Sequence, residues 1–470
     1  HSKRPLRQIA AAAVFALSDI SGILSIAVSV RLCYTFPVLS ERGDWKVNVA
    51  KTYGGFVKKA LPDHPDRARA LIRLGLKLEQ TRKRVAPEKG MPKGYQKLHY
   101  LSMGKTVEAL KDPAHSAWVN VFAPVELLQC FGLNCTSIEL LSSFLSGFYC
   151  EDTLIDAAEE AGIASTLCSY HKNFIGGSLL GLVPTPKIAV TTSMVCDGNI
   201  NTFRYLSKTT EVESYILDVP HTWSPEGEDY VVDQLRELAA LLAKTTGIPY
   251  REDELSAMLE RENESKRLLL EINDLQKTRW YPNTMTMNLF QIYASHLAIG
   301  TPEVLDVYRF MRKDIEQYPE YHGKKLFWVH LFPYYQETLK HYLDLSDRYY
   351  VCGYDFNLDY TDPLDTQDPL RALARKMILN FYNGDYSRKI EWITRLVSQC
   401  GADGVIHFNH WGCKQVAGSV PLLKAALRQH GVPMLILDGD ALDRRNSHDG
   451  QVKTRMEAFF ELLEKGGAAE

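Results

Sequence analysis

A chain of 470 residues is too long for one ordinary hydrophobic core, and two domains plus an extra segment are expected. Hydrophobic residues at 45% and charged residues at 24% make a globular balance. A net charge of −3 leaves no basic excess for nucleic acid or an anionic membrane surface, so neither is expected as a partner.

The chain opens on His1-Ser2 without methionine, which reads as a remnant of an expression tag and is set aside. Ile9 to Val30 is apolar and follows Lys3, Arg4 and Arg7, the pattern of a signal peptide or short anchor. Ser18-Asp19 and Ser21-Gly22 interrupt it, and a charge at mid-span costs roughly 2.5–3.5 kcal/mol. A packed helix pair in a cytoplasmic protein is therefore expected, not a membrane span. Residues 1–115 read as a helical N-terminal segment and linker. Periodic apolar positions fall at Phe56-Val57 and from Leu71 to Leu78, and the basic stretch Arg82 to Lys97 reads as a solvated connection.

From Ala117 short apolar runs alternate with amphipathic ones. Trp118–Phe122, Lys187–Thr192 and Tyr215–Val219 read as strands, and Pro124 opens a helix at Val125-Glu126-Leu127-Leu128. Val231, Leu235, Leu238 and Leu242 repeat at helical spacing. This alternation predicts a parallel α/β domain over 116–250. Charged helical sequence from Glu252 to Lys277 begins an interdomain region over 251–323. A second α/β domain follows over 324–470, with strands at Leu326–Leu331, Tyr349–Cys352, Gly404–Phe408 and Met434–Leu437 and helices at 367–380, 387–400 and 417–429. The expected fold class is α/β: two parallel-sheet, Rossmann- or flavodoxin-like domains facing a cleft, plus the helical N-terminal segment. In open parallel sheets ligands sit outside the carboxyl ends of the strands.

Nine cysteines stand at 33, 130, 135, 150, 168, 196, 352, 400 and 413. None forms C-x-x-C, which argues against a zinc ribbon or thioredoxin site, and structural disulfides are not expected in a long chain without a signal. Either the thiols are buried filler, or some of them converge. Cys196 and Cys413 directly follow predicted strands, Cys352 ends one, and Cys168 lies in a loop next to Gly176-Gly177, Pro184 and Pro186. Thiolates are soft ligands that hold iron–sulfur clusters, and a cleft between two domains would collect these four. Cys33, Cys130, Cys135 and Cys400 read as core filler.

Over roughly residues 120–465 the chain resembles the 2-hydroxyacyl-CoA dehydratase and benzoyl-CoA reductase superfamily. The carriers are Pro124-x-Glu126-Leu127, Ala161-Gly162-Ile163 ahead of Cys168-Ser169-Tyr170-His171-Lys172, and the strand leading to Cys196-Asp197. Further on come Gly401-Ala402-Asp403-Gly404-Val405, Trp411-Gly412-Cys413, Gly431-Val432-Pro433 leading to Asp438-Gly439-Asp440, then Arg445-Asn446 and Gly450 to Glu457. The resemblance implies that Cys168, Cys196 and Cys413 hold a [4Fe–4S] cluster between two α/β domains. It also implies a transient partner, a homodimeric iron–sulfur ATPase activator that injects low-potential electrons. The segments Cys168 to Lys172 and Cys196 to Phe203 look most like the double-cubane cluster branch, in which one chain carries an [8Fe–9S] cluster, forms a homodimer and reduces a small substrate. Cys150 and Cys352 are then the next candidate ligands.

His171 and His410 flank the expected ligands and are candidates to deliver a proton or to hydrogen-bond a sulfide; ordinary satisfied histidines are the alternative. Lys172 and Lys414 are candidates to offset the cluster's negative charge. Asp438-Gly439-Asp440 reads as a cap for the following turn. No phosphate loop G-x-x-x-x-G-K-[ST] is present, so ATP is expected to be hydrolysed by the partner. Three functions remain open: an ATP-dependent (through its partner) iron–sulfur reductase, a 2-hydroxyacyl-CoA dehydratase component acting on an acyl-CoA, and a non-catalytic paralogue or electron relay.

Overall fold

The computed structural model of the chain describes residues 48–466, so Ile9–Val30 and Cys33 lie outside the described residues. Two four-stranded sheets carry the fold, and every pairing within them is parallel. The first holds β1 (Ser116–Val119), β2 (Asn134–Ser137), β3 (Ile188–Thr192) and β4 (Ser214–Leu217) in the order β2-β1-β3-β4. The second holds β5 (Lys324–Val329), β6 (Tyr349–Tyr354), β7 (Gly404–His410) and β8 (Met434–Gly439) in the order β6-β5-β7-β8. This is the expected α/β class with a helical N-terminal region. Both sheets have the same switch point, between β1 and β3 and between β5 and β7, where open α/β sheets form a ligand crevice.

Local sequence explains the strands. β3 reads Ile-Ala-Val-Thr-Thr, all five residues are buried, and β-branched side chains covered on both faces suit a central parallel strand. β2 is the strand that the sequence reading missed. It is four residues at a sheet edge, Asn-Cys-Thr-Ser, too short and polar to show a period.

Three helices, Val49–Ala60, Pro65–Val85 and Lys93–Lys111, form the described part of the N-terminal segment. Arg82 to Val85 end the second and Lys93 starts the third, so the expected solvated connection shrinks to 86–92. The first helix lies hard against the turn ahead of Cys150: a Cβ on Gly54 would meet Phe148 O at 1.7 Å. The third packs on the helix Pro302–Asp314, where Asp314 Oδ2 accepts from Gly94 N–H at 3.0 Å.

A buried charge cluster ties the two halves together. Lys376, on the helix Pro369–Leu379, donates to Glu126 and, at 2.7 Å, to Glu262 on the helix Glu252–Leu275; Lys266 also lies 2.7 Å from Glu262. Both carboxylates are fully buried, so each depends on these ammonium groups for compensation. Among the described residues no helix is long and apolar enough to cross a membrane.

Candidate metal centre

Three cysteines take the same local position. Cys168, Cys196 and Cys413 are the N-cap residues of the helices Ser169–Leu179 and Asp197–Thr210 and of the turn Lys414–Ala417. Backbone N–H groups of Tyr170, of Gly198 and Asn199, and of Gln415 and Val416 face the respective sulfurs. Unpaired N–H groups at a helix start favour negative charge there. β3 delivers Cys196 and β7 delivers Cys413, each from one side of its sheet's switch point.

Backbone geometry draws the loops together. Val195, at φ +66°, turns the chain between β3 and Cys196. Gly412 has φ +84°, and a Cβ there would meet Cys168 Cα at 2.9 Å and Cys168 N at 3.0 Å. Glycine is what lets the loop after β7 touch the Cys168 loop of the other sheet's domain. One residue on, Ser169 Oγ donates to Asp440 Oδ1 at 2.7 Å. The same oxygen caps its own turn by accepting from the N–H groups of Leu442 at 2.8 Å and Asp443 at 2.9 Å.

Each of two sulfurs has a buried imidazole. His410 Nε2 is 3.2 Å from Cys168 Sγ, and Ala441 N–H donates to His410 Nδ1 at 3.0 Å. With Nδ1 accepting, the neutral ring carries its proton on Nε2 and points it at sulfur. His171 Nε2 is 3.6 Å from Cys196 Sγ, and its Nδ1 is 2.9 Å from Thr202 Oγ1. Burial, with the nearby His410, pulls His171 down to about 4, and burial also lowers His410, so both rings are neutral at pH 7. Burial, then Cys413 and Cys196, pushes the Cys168 thiol well up. Burial and then Cys413 push Cys196 up to about 12, and burial raises Cys413. Three soft donors, half-buried together and repelling one another as anions, fit a cationic iron–sulfur centre, which would remove both penalties. Among the described residues no three His, Cys, Asp or Glu groups close on one point as the ligands of a single ion would. A cluster instead offers each thiolate a separate iron.

The remaining expected ligands are placed elsewhere. Cys352 sits at a register shift: Leu326 pairs with Val351 and Phe327 with Gly353, which leaves Cys352 as the extra residue of a bulge. Its Sγ is 3.4 Å from Leu326 O and it interacts with Cys400. The bulge turns the Cys352 thiol into the core, toward Leu326 O and Cys400. Cys150 is buried, with Sγ 3.5 Å from Phe148 O and Lys58, Glu151, Asp152 and Arg444 as its charged neighbours. Lys172 is committed to Glu159 Oε1 and Ser165 O, both at 2.7 Å, and so buttresses the loop leading to Cys168. Lys414 is exposed.

Sequence reading did not single out Glu139 or Thr202. Glu139 accepts from Ser137 Oγ at 2.5 Å, burial raises its carboxyl, and its charge acts on Cys196. Only the return of β2 to the sheet brings it there, and no local motif announces it.

Two parallel sheets whose loops meet over three N-capping cysteines define a two-domain α/β protein with an interdomain thiol site. A family model described as 2-hydroxyglutaryl-CoA dehydratase, D-component, matches residues 120–463, and the chain belongs to that family. It is 22% identical over 389 residues to the alpha subunit of (R)-phenyllactyl-CoA dehydratase from Clostridium sporogenes, covering 76% of this chain and 91% of the relative. It is 21% identical over 392 residues to a subunit of benzoyl-CoA reductase from Thauera aromatica, covering 74% and 89%. It is 19% identical over 393 residues to the alpha subunit of lactoyl-CoA dehydratase from Anaerotignum propionicum, covering 75% and 91%.

Proposed function

We propose that the chain is the cluster-bearing component of an acyl-CoA dehydratase or reductase, with a [4Fe–4S] cluster held by Cys168, Cys196 and Cys413 and one iron left open to substrate. The observation that carries this is the meeting of three N-capping thiols from two domains, joined by the Gly412–Cys168 contact. Relatives named as dehydratase and reductase subunits support the substrate class. Bound there, the cluster would supply one-electron chemistry to an acyl thioester. The chain's own groups would orient and neutralise: helix-start N–H groups and two imidazoles at the sulfurs, with the half-buried Glu139 carboxyl acting on Cys196 through its charge. The sequence has no phosphate loop, so electrons would come from a separate ATP-hydrolysing iron–sulfur activator.

A double cubane needs more thiolates than three. Cys352 pairs with Cys400 and Cys150 turns to Phe148 O, so the single-cubane reading is preferred. Iron and acid-labile sulfide, counted per chain on anaerobically purified protein, test this. About four irons support the reading, about eight restore the double-cubane reductase, and none leaves a relay or non-catalytic paralogue.

A further inference from the structure

A small cavity lies where β6 meets the end of the helix Glu252–Leu275 and the helix Met285–Ile292. Six amides and two tyrosines line it, and none of its lining residues is charged. Val351, Cys352 and Gly353 close one side, so the cavity abuts the bulge that turns Cys352.

Amides are rare so deep in a core, because each brings polar atoms that need partners. Several of these are paired within the chain. Gln276 Nε2 donates to Tyr350 OH at 2.6 Å, Asn283 Nδ2 donates to Val351 O at 2.8 Å, and Asn357 Oδ1 accepts from Ser295 Oγ at 3.3 Å. Two groups are not. Asn288 Nδ2 and the Tyr354 hydroxyl have no protein partner, although Asn288 is only 4% exposed and Tyr354 3%. The Tyr354 ring is fixed by its neighbours, with ring centres 4.5 Å from Phe332 and 5.6 Å from Phe356, so the hydroxyl cannot turn out to solvent.

The lining selects the ligand. An ion would need a counter-charge, and the lining offers none. An apolar ligand would leave the free amide and hydroxyl unpaired. A small neutral molecule that both accepts and donates satisfies them together. Size narrows the class further: the cavity gives a water about 10 Å³ of room, and one water needs roughly 10–15 Å³ by the same measure. A buried water makes about three hydrogen bonds. Asn288 and Tyr354 supply two, and Gln291, which lines the same space, offers a third.

We infer that the cavity is a binding site for a single water, which accepts from Asn288 Nδ2 and bonds the Tyr354 hydroxyl. The water is part of the fold. It supplies hydrogen bonds beside the bulge that interrupts the register of β5 and β6, and it holds the end of β6 directly ahead of Asp355. Asp355 Oδ1 in turn accepts from His330 N–H at 3.0 Å, just past the end of β5. The site thereby steadies strand ends beside the second sheet's switch point.

The test is a crystal structure of the full chain at a resolution that shows single waters, with urea unfolding of variants alongside. The wild-type map should show one spherical peak within hydrogen-bond distance of both Asn288 Nδ2 and Tyr354 OH. Tyr354→Phe keeps the ring against Phe332 and Phe356 and removes only the hydroxyl. It should raise the unfolding equilibrium constant roughly fivefold, the net worth of one hydrogen bond. A hydroxyl with no water to bond is a buried liability, and its removal leaves stability unchanged or increases it; that result overturns the inference. Asn288→Leu should lose the peak, and a peak that stays in place overturns the assignment of Asn288. If Asn288→Leu fails to fold, Tyr354→Phe and the wild-type map decide the matter. A wild-type map without a peak, or with density too extended for water, overturns the inference as well.

Discussion

His410 gives its one N–H to Cys168 Sγ at 3.2 Å because Ala441 occupies the opposite ring nitrogen at 3.0 Å. A turn in the second sheet's domain thereby fixes the tautomer of a histidine that serves a cysteine of the first. Hydrogen bonds to cluster sulfurs raise the potential. His410→Phe should keep its iron and move the cluster to a more negative potential in a spectroelectrochemical titration. An unmoved potential would sink the assignment.

Gly412→Ala should be costly. The left-handed conformation alone costs a β-carbon roughly 1–2 kcal/mol, and the added atom presses on the Cys168 backbone from 2.9 Å. Urea unfolding should show the lost stability. Iron analysis should show reduced occupancy with the far-UV spectrum retained. Wild-type iron together with wild-type stability would mean that the loop contact carries no weight.

The cysteines should divide into two groups. Alanine at Cys168, Cys196 or Cys413 should abolish the broad visible absorption. Cys352→Ser should leave iron unchanged and cost roughly 1–3 kcal/mol, the penalty of a poorly satisfied buried hydroxyl beside Cys400. Iron falling by a fraction in Cys352→Ser would return it to the ligand set.

Lys376→Met strands Glu126 in the core and leaves Glu262 with Lys266 alone. Breaking a buried pair from one side costs about 3–5 kcal/mol. Denaturant titration should show a loss of that size, and a change under about 1 kcal/mol would show that the carboxylates find other partners or protonate without strain.

His99 predicts an acid-side dependence. It is buried and stacks on Phe290 at 4.6 Å, and burial pulls it down to about 4. Between that value and the unfolded 6.5 the unfolded chain binds the extra proton, so stability falls as pH drops through this window. At 1.36 kcal/mol per unit the loss reaches up to roughly 3 kcal/mol. His99→Phe should flatten that part of the curve when urea midpoints are compared at about pH 7 and about pH 4.5. An unchanged slope would remove His99 as its source.

The sequence alone determined the layout, because it resides in short-range signals. Alternating apolar runs and amphipathic helices define two parallel sheets, and Cys168, Cys196 and Cys413 fall in segments that neighbouring residues already mark as loops and strand ends. β2 escaped because four residues, three of them polar, carry no period. Tertiary structure decided what depends on register and long-range approach. One extra residue in β6 turned Cys352 from the cleft to Cys400. Glu159 drew Lys172 away, and Gly412 brought the loop after β7 against the Cys168 backbone. Pleat and helix phase can be read along a chain. Which charge ends nearest which sulfur is set only when distant segments pack.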